Sequence, residues 1–269
     1  VRSRMNITGS VARAASCAFS PFSILLGYQK TYLICAVVDA VSLLTVHGMQ
    51  EARVTVNQKT SRETPFEQIG KRMKEHVIET LKFIRKHPVT MCKLLADAAI
   101  ACPCYLTMMY LQEHLVSNGW PESLIGLPIL LIPLSGAAGS WMASRICDGL
   151  FGIVVICGIV GGIGTCLAGS SILAVSMAGG CLAWIVSGYA EIVVGENVNR
   201  DFTSDQRATM VSVDSMMYSV LMVIVSPLTG YAGSHMSVSV SFYLMGAGLI
   251  GMTCILCGLY RICSKFSLR

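Results

Sequence analysis

Residues 149–190 read GLFGIVVICGIVGGIGTCLAGSSILAVSMAGGCLAWIVSGYA, 42 positions without one Asp, Glu, Lys or Arg. A helix crosses a bilayer with about 20 apolar residues, so the run holds two crossings joined by a tight turn near Ser170 and Ser171. Outward from it, residues 123–144, 215–234 and 236–260 are further uncharged runs of 22, 20 and 25. Residues 98–112 form a shorter one, extended at its start by Met91, Leu94 and Leu95. Residues 14–29 and 31–46 make another pair, with Asp39 the one charge inside it. Eight spans follow, at 7–27, 31–48, 89–112, 122–145, 149–169, 172–196, 208–233 and 238–260. The fold class is all-α, a polytopic helical membrane protein with about eight transmembrane helices. Continuous rather than alternating apolar runs argue against a barrel.

Composition agrees. Of 269 residues, 54% are apolar and 13% charged, and mean hydropathy is +0.63. Soluble domains carry about 25% charged residues. A disordered tail, a disulfide-stapled secreted domain and an ordinary soluble enzyme are excluded.

With a cytoplasmic N-terminus and alternating spans, 17 of the 20 Lys and Arg fall on the inner side. Arg13 and Lys93 lie inside helices near their cytoplasmic ends, and Lys30 faces out. Both termini are therefore expected inside, in a plasma or inner cell membrane. The net charge of +5 describes topology in a lipid bilayer and calls for no nucleic-acid partner. Residues 49–88 are the longest stretch between spans. Asn57, Gln58, Lys59 and Ser61 read as a polar linker, and Thr64-Pro65-Phe66-Glu67 matches a capping box with Pro at the first helical position. Ile69, Met73, Val77, Leu81 and Ile84 then recur at helical spacing opposite Lys71, Arg72, Lys74 and Lys82. That pattern suits an amphipathic helix on the inner leaflet, or a solvated linker helix. The sequence opens on Val1 without a signal peptide, and its start reads as an internal cut.

Several motifs look chemical. Cys254-Ile-Leu-Cys257 is a C-x-x-C with no His nearby, and Cys102-Pro103-Cys104 lies inside a span. Zinc sites need four close ligands and a second shell, so the twelve cysteines read as packing thiols in a reducing compartment. Gly246-Ala-Gly248-Leu-Ile-Gly251 spells G-x-G-x-x-G, but within an apolar span rather than after a strand. Gly158 and Gly162 form a GxxxG, and Gly152, Gly161, Gly164 and Gly169 share their helix, which points to close helix packing. Asn6-Ile-Thr8 falls on the inner side, away from glycosylation. G-x-S-x-G, H-E-x-x-H and the P-loop are absent, and the five His are scattered. Neither an enzyme nor a bound cofactor or metal is expected.

Ionisable residues within spans carry the functional signal, because each costs about 2.5–3.5 kcal/mol at a helix centre on insertion scales. Asp39 lies near a midplane and Arg13 about one and a half turns into its helix. Lys93 and Asp97 are four apart on one face. Glu191 and Glu196 lie towards the cytoplasmic end of their span, and Asp214 follows the loop carrying Arg207. Two readings stay open. Lys93, Asp97, Glu196, Arg207 and Asp214 brace or gate helix ends at the inner surface; Asp39, Glu191 and Arg13 line a cavity that binds a proton or a charged substrate group. Tyr105, Trp184 and Tyr218 line a pocket or pack a core, and Trp120 suits an interfacial anchor.

Gln206-Arg207-Ala208-Thr209-Met210-Val211-Ser212 resembles the stretch entering the eleventh helix of the major facilitator superfamily, and Ser226-Pro227-Leu228-Thr229-Gly230 its later P-L-x-G segment. The run from Gly139 to Arg145 is similar to the degenerate loop motif closing the eighth helix. Where an acidic residue is usual near the Arg, Ala143 and Ser144 stand here, with Asp148 beyond. The basic stretch after two spans and before six resembles the family's central loop. Ser20-Pro21 occupies the place of the antiporter Gly-Pro pair.

The resemblance implies helices five to twelve of twelve. Residues 1–48 would be the last two helices of an N-terminal half, 49–88 the cytoplasmic linker and 89–269 a C-terminal six-helix half. It further implies alternating access around a midplane site, a small organic solute, proton coupling and a monomer. Lys93, Asp97, Arg145, Asp148, Arg207 and Asp214 would be cytoplasmic gating residues. The alternative from another class is a truncated membrane scaffold or binding protein that moves nothing.

Overall fold

The computed structural model describes residues 26–47, 85, 87–143, 150–200 and 204–267. The expected span at 7–27, except its last two residues, and the expected linker helix at 64–84 lie outside the described residues. All regular structure among the described residues is helical: α1 Tyr28–His47, α2 Pro88–Ser117, a 3-10 turn at Glu122–Leu124, α3 Gly126–Ala143, α4 Leu150–Ala168, α5 Leu173–Arg200, α6 Ser204–His235 and α7 Val238–Ser267. The expected spans from 31–48 onward fall on these helices. Among the described residues five stretches are long and apolar enough to cross a membrane: Pro88–Ser117, Gly126–Ala143, Leu173–Val198, Met210–His235 and Val238–Ile262. Gly152–Ala168 is a shorter apolar helix. This is the architecture of a helical membrane protein.

Local chemistry sets the helix ends. Pro88 opens α2 at a position where a missing N–H costs nothing. At its far end Gly119 takes φ +97°, which a side chain resists. The Trp120 N–H then reaches the Leu115 carbonyl at 2.9 Å and the Gly119 N–H the Val116 carbonyl at 3.0 Å, the Schellman pairing that satisfies terminal carbonyls. The Asn118 side-chain amide caps the His114 carbonyl at 2.7 Å, and the His114 ring meets the Ser170 carbonyl of the α4–α5 turn at 2.9 Å.

Helices α2–α7 form one packed body, in which α5 contacts α2, α3 and α4, while α2 also contacts α4, α6 and α7. The contacts fix direction. Lys93 donates to Asn197 Oδ1 at 3.1 Å, the Trp184 indole to the Cys104 carbonyl at 3.0 Å, and Leu111 lies over Gly180, so α2 and α5 are antiparallel. Cys102 meets Met222 at 3.3 Å and Tyr110 meets Thr229 at 3.3 Å, so α6 runs parallel to α2. Gly136 faces Trp184 and Ser140 donates to the Gly188 carbonyl at 3.1 Å, which sets α3 parallel to α5. Gly158 against Thr253 and Gly169 against Phe242 make α4 and α7 antiparallel. Consecutive helices of the body therefore alternate in direction.

Small residues let the backbones approach. A Cβ on Gly139 would fall on the Ile185 carbonyl, and one on Gly188 on the Gly136 carbonyl. The glycines of α4 divide between two neighbours: Gly158, Gly162 and Gly169 face α7, and Gly164 faces Gly179 and Ala183 of α5. Gly246 of the G-x-G-x-x-G abuts Gly162 and Cys166, which gives it a packing role. Among hydrocarbon tails close van der Waals packing of this kind holds helices together. Leu111, Leu115, Ile132, Ile192, Val194 and Phe242 are buried in the core. The outer surface is apolar, with Val223, Val220, Ile156 and Ile255 exposed, as a hydrocarbon solvent allows. The apolar side chains of α1 are exposed, Tyr32 and Leu44 each at 73%.

Candidate functional site

A cavity of about 260 Å³ lies where α2, α5 and α6 meet, and its lining is polar. Asp97, Ala98 and Ala101 come from α2, Ser187 and Glu191 from α5, and Asp214, Ser215, Tyr218 and Ser219 from α6. Three helices thus each contribute one carboxylate, although no helix carries more than one of them. Helical spacing explains the lining: Asp97–Ala101, Ser187–Glu191, Asp214–Tyr218 and Ser215–Ser219 are each i, i+4 pairs on one face.

The carboxylates share a depth. Asp97 lies nine residues after Pro88 and Glu191 nine before Arg200 on the antiparallel helix. Asp214 lies ten after Ser204. Carried across the Lys93–Asn197 and Cys102–Met222 contacts at 1.5 Å per residue, the three lie within about 7–8 Å of one level. Below them, Leu94, Val194, Val198 and Met210 are buried and close off a void of about 20 Å³ that Asp97 and Asp214 also touch. Lys93 is one turn beneath Asp97 on α2, with its ammonium on Asn197.

Burial grades across the trio. Asp97 is buried, Asp214 half-buried and Glu191 exposed on the surface of the body. None of the described lining residues is basic. The site is therefore a hydroxyl- and carboxylate-lined recess open on the Glu191 side, with an aromatic ring at Tyr218. Such a lining suits protons or a positively charged group and disfavours anions. Among the described residues no group of His, Cys, Asp and Glu is placed to hold a metal ion. The described cysteines are free thiols; Cys104 donates to the Ala183 carbonyl at 3.3 Å within the α2–α5 contact.

The other sequence candidates are spread out. Trp184 lies between Cys104 of α2 and Gly136 of α3, where it braces three helices rather than lining the recess. Tyr105, 41% exposed, is one turn beyond Ala101 on α2. Asp39 lies on the exposed face of α1, outside the recess lining. Arg207 belongs to the first turn of α6, with its side chain outside the described residues, as are Arg13, Arg145 and Asp148 altogether. Ser187, Ser215 and Ser219 escaped the sequence reading. The signal they left is their one-turn spacing from Glu191 and from each other in apolar helices.

Comparison with protein-family models, with curated proteins and with solved structures finds no match to this chain.

Proposed function

We propose that this chain is the membrane body of a secondary active transporter of the major facilitator type. It moves a small organic solute by alternating access, with protons as the coupling ion. The observation that carries the reading is the recess holding Asp97, Glu191 and Asp214 at one depth in an otherwise apolar body. Carboxylates at such depth are costly, and they persist where they face a water-filled path or a bound cation. Glu191, on the open side, is the candidate proton and substrate group; Asp97 and Asp214, nearer the apolar closure, are the candidate gate.

The packing pattern supports the same reading. α3 runs parallel along α5 as α6 runs parallel along α2, and α4 packs on α5 as α7 packs on α2. Exchange of α2–α4 with α5–α7 preserves these four contacts, a relation suited to inverted three-helix repeats. The Lys and Arg bias of the sequence favours both ends of the body on the cytoplasmic face of a cell membrane.

Proteoliposomes loaded with a pH-sensitive dye test the proposal. A panel of organic cations and neutral solutes should include one whose counterflow moves protons. Glu191→Gln should abolish the proton signal while the protein still inserts and elutes as the wild type does. Absence of counterflow across the panel overturns the proposal and leaves the non-transporting scaffold; Glu191→Gln at full rate removes the recess as the proton pathway on which the proposal rests.

A further inference from the structure

A second cavity lies elsewhere. About 500 Å³ lies on the other side of the α2–α6 contact, between α6 and α7, with α2 as its floor. Its walls include Pro103, Leu228, Leu244, Gly248 and Met252. Two of its polar groups are committed: the Thr229 hydroxyl donates to the Val225 carbonyl at 2.9 Å, and the Cys102 thiol meets Met222. A polar ligand would thus find few hydrogen-bonding partners, whereas an apolar chain fits throughout. Gly248 gives the groove its depth, because nothing lies within 4 Å of where its Cβ would stand.

Three features identify the occupant. The lining residues Leu228 and Leu244 are also exposed on the apolar outer surface, so the groove opens sideways into hydrocarbon. On α6 the lining runs from Leu221 to Met236, about 22 Å of helix at 1.5 Å per residue, which covers one leaflet's half of a core about 30 Å thick plus its interface. Apart from the Cys102 thiol, the polar groups of the described lining gather at one end: Tyr231 stacks on His235 at 4.1 Å, and Ser234 meets His235 Nδ1 at 2.9 Å. An apolar trough one leaflet long with an aromatic, hydrogen-bonding rim at the helix end has the polarity profile of an amphiphile.

We propose that the α6–α7 groove seats one acyl chain of a bilayer phospholipid, with its headgroup at the Tyr231–His235 rim. The site is separate from the carboxylate recess and does not depend on transport.

The test uses the full chain in phosphatidylcholine vesicles containing a phosphatidylcholine with a diazirine midway along one acyl chain. After irradiation, label is mapped by peptide mass spectrometry. It should concentrate on the segments carrying Leu228 and Leu244–Met252, above the level on the exposed α4 residues Ile159 and Ile163. Gly248→Phe and Leu228→Trp, which fill the groove from opposite walls, should each lose that label. Gly258→Phe, at another open glycine of α7 beyond the groove, should keep it. Equal labelling of groove and α4, or label retained in both filled variants, overturns the proposal. So does a cross-link from the groove to residues 1–25 or to a second copy, either of which would name a different occupant.

Discussion

Gly139→Ala adds one methyl group at the closest approach of α3 and α5. The new Cβ would fall on the Ile185 carbonyl oxygen, 2.8 Å from its carbon and 3.0 Å from its Cα. These are backbone atoms of a helix and cannot rotate aside. The two helices must part, and the Ser140 hydroxyl is drawn from the Gly188 carbonyl it reaches at 3.1 Å. Overpacking costs about 1–3 kcal/mol and an interhelical hydrogen bond in a membrane about 0.6 kcal/mol, against about 1 kcal/mol gained from Gly to Ala in a helix. The expected net is a loss of about 0.6–2.6 kcal/mol. Gly248→Ala makes the same chemical change in open space and should gain up to about 1 kcal/mol. Unfolding in mixed micelles of dodecyl maltoside and SDS, followed by a thiol-reactive fluorophore, reads both variants. The exposed Cys254 reacts at once, while Cys102 and Cys104, each 1% exposed, react on unfolding. If Gly139→Ala proves as stable as Gly248→Ala, the close α3–α5 approach is wrong.

Trp184→Phe removes the donor to the Cys104 carbonyl and should cost about 0.5–1.5 kcal/mol in the same titration, more if the smaller ring leaves a void. Thr165 is fully buried and its hydroxyl has no hydrogen-bond partner, so Thr165→Val should stabilise by about 1 kcal/mol; a loss would reveal a partner such as an internal water. Under the proposed function Asp39 lies outside the recess, so Asp39→Asn should leave pH-driven transport unchanged where Glu191→Gln abolishes it; loss of coupling in Asp39→Asn at normal expression would put Asp39, as the sequence suggested, in the proton pathway.

Charge-free runs located the helices because insertion into hydrocarbon depends on composition summed along a segment. They located the ends less well. The apolar signal for α2 fades at Gln112, yet the helix continues through Glu113 and His114 to Ser117, since helical hydrogen bonding persists past the membrane surface. The depth of Asp97, Glu191 and Asp214 was also legible, as helical rise converts position into distance. Their meeting was not. Asp97 and Asp214 read as gating residues and Glu191 as a pathway residue, because a helix that is apolar all round gives no sign of which side turns towards which neighbour. That choice is made by backbone approach at Gly139, Gly164 and Gly188, and only the packed body reveals it. Trp184 illustrates the same gap: its indole turned to a carbonyl of α2, which composition could not foretell.

The uneven seams of this body give it uneven stiffness. α3, α4, α5 and α7 are joined where glycine lets backbone or side chain press directly on backbone, contacts with little slack. α6 is held differently, by a thiol on a thioether, by the Tyr110–Thr229 hydroxyl pair, by the Ser241 hydroxyl donating to the Thr229 carbonyl, and by cavities on both sides of its seam with α2. Only 6% of its membrane-crossing window is buried, against 67% for α2. Under thermal or mechanical load the strain in such an assembly gathers in its softest joint. Movement of α6 would change the volumes of the carboxylate recess and the lipid groove together, making one helix a shared wall between a wet compartment and an oily one.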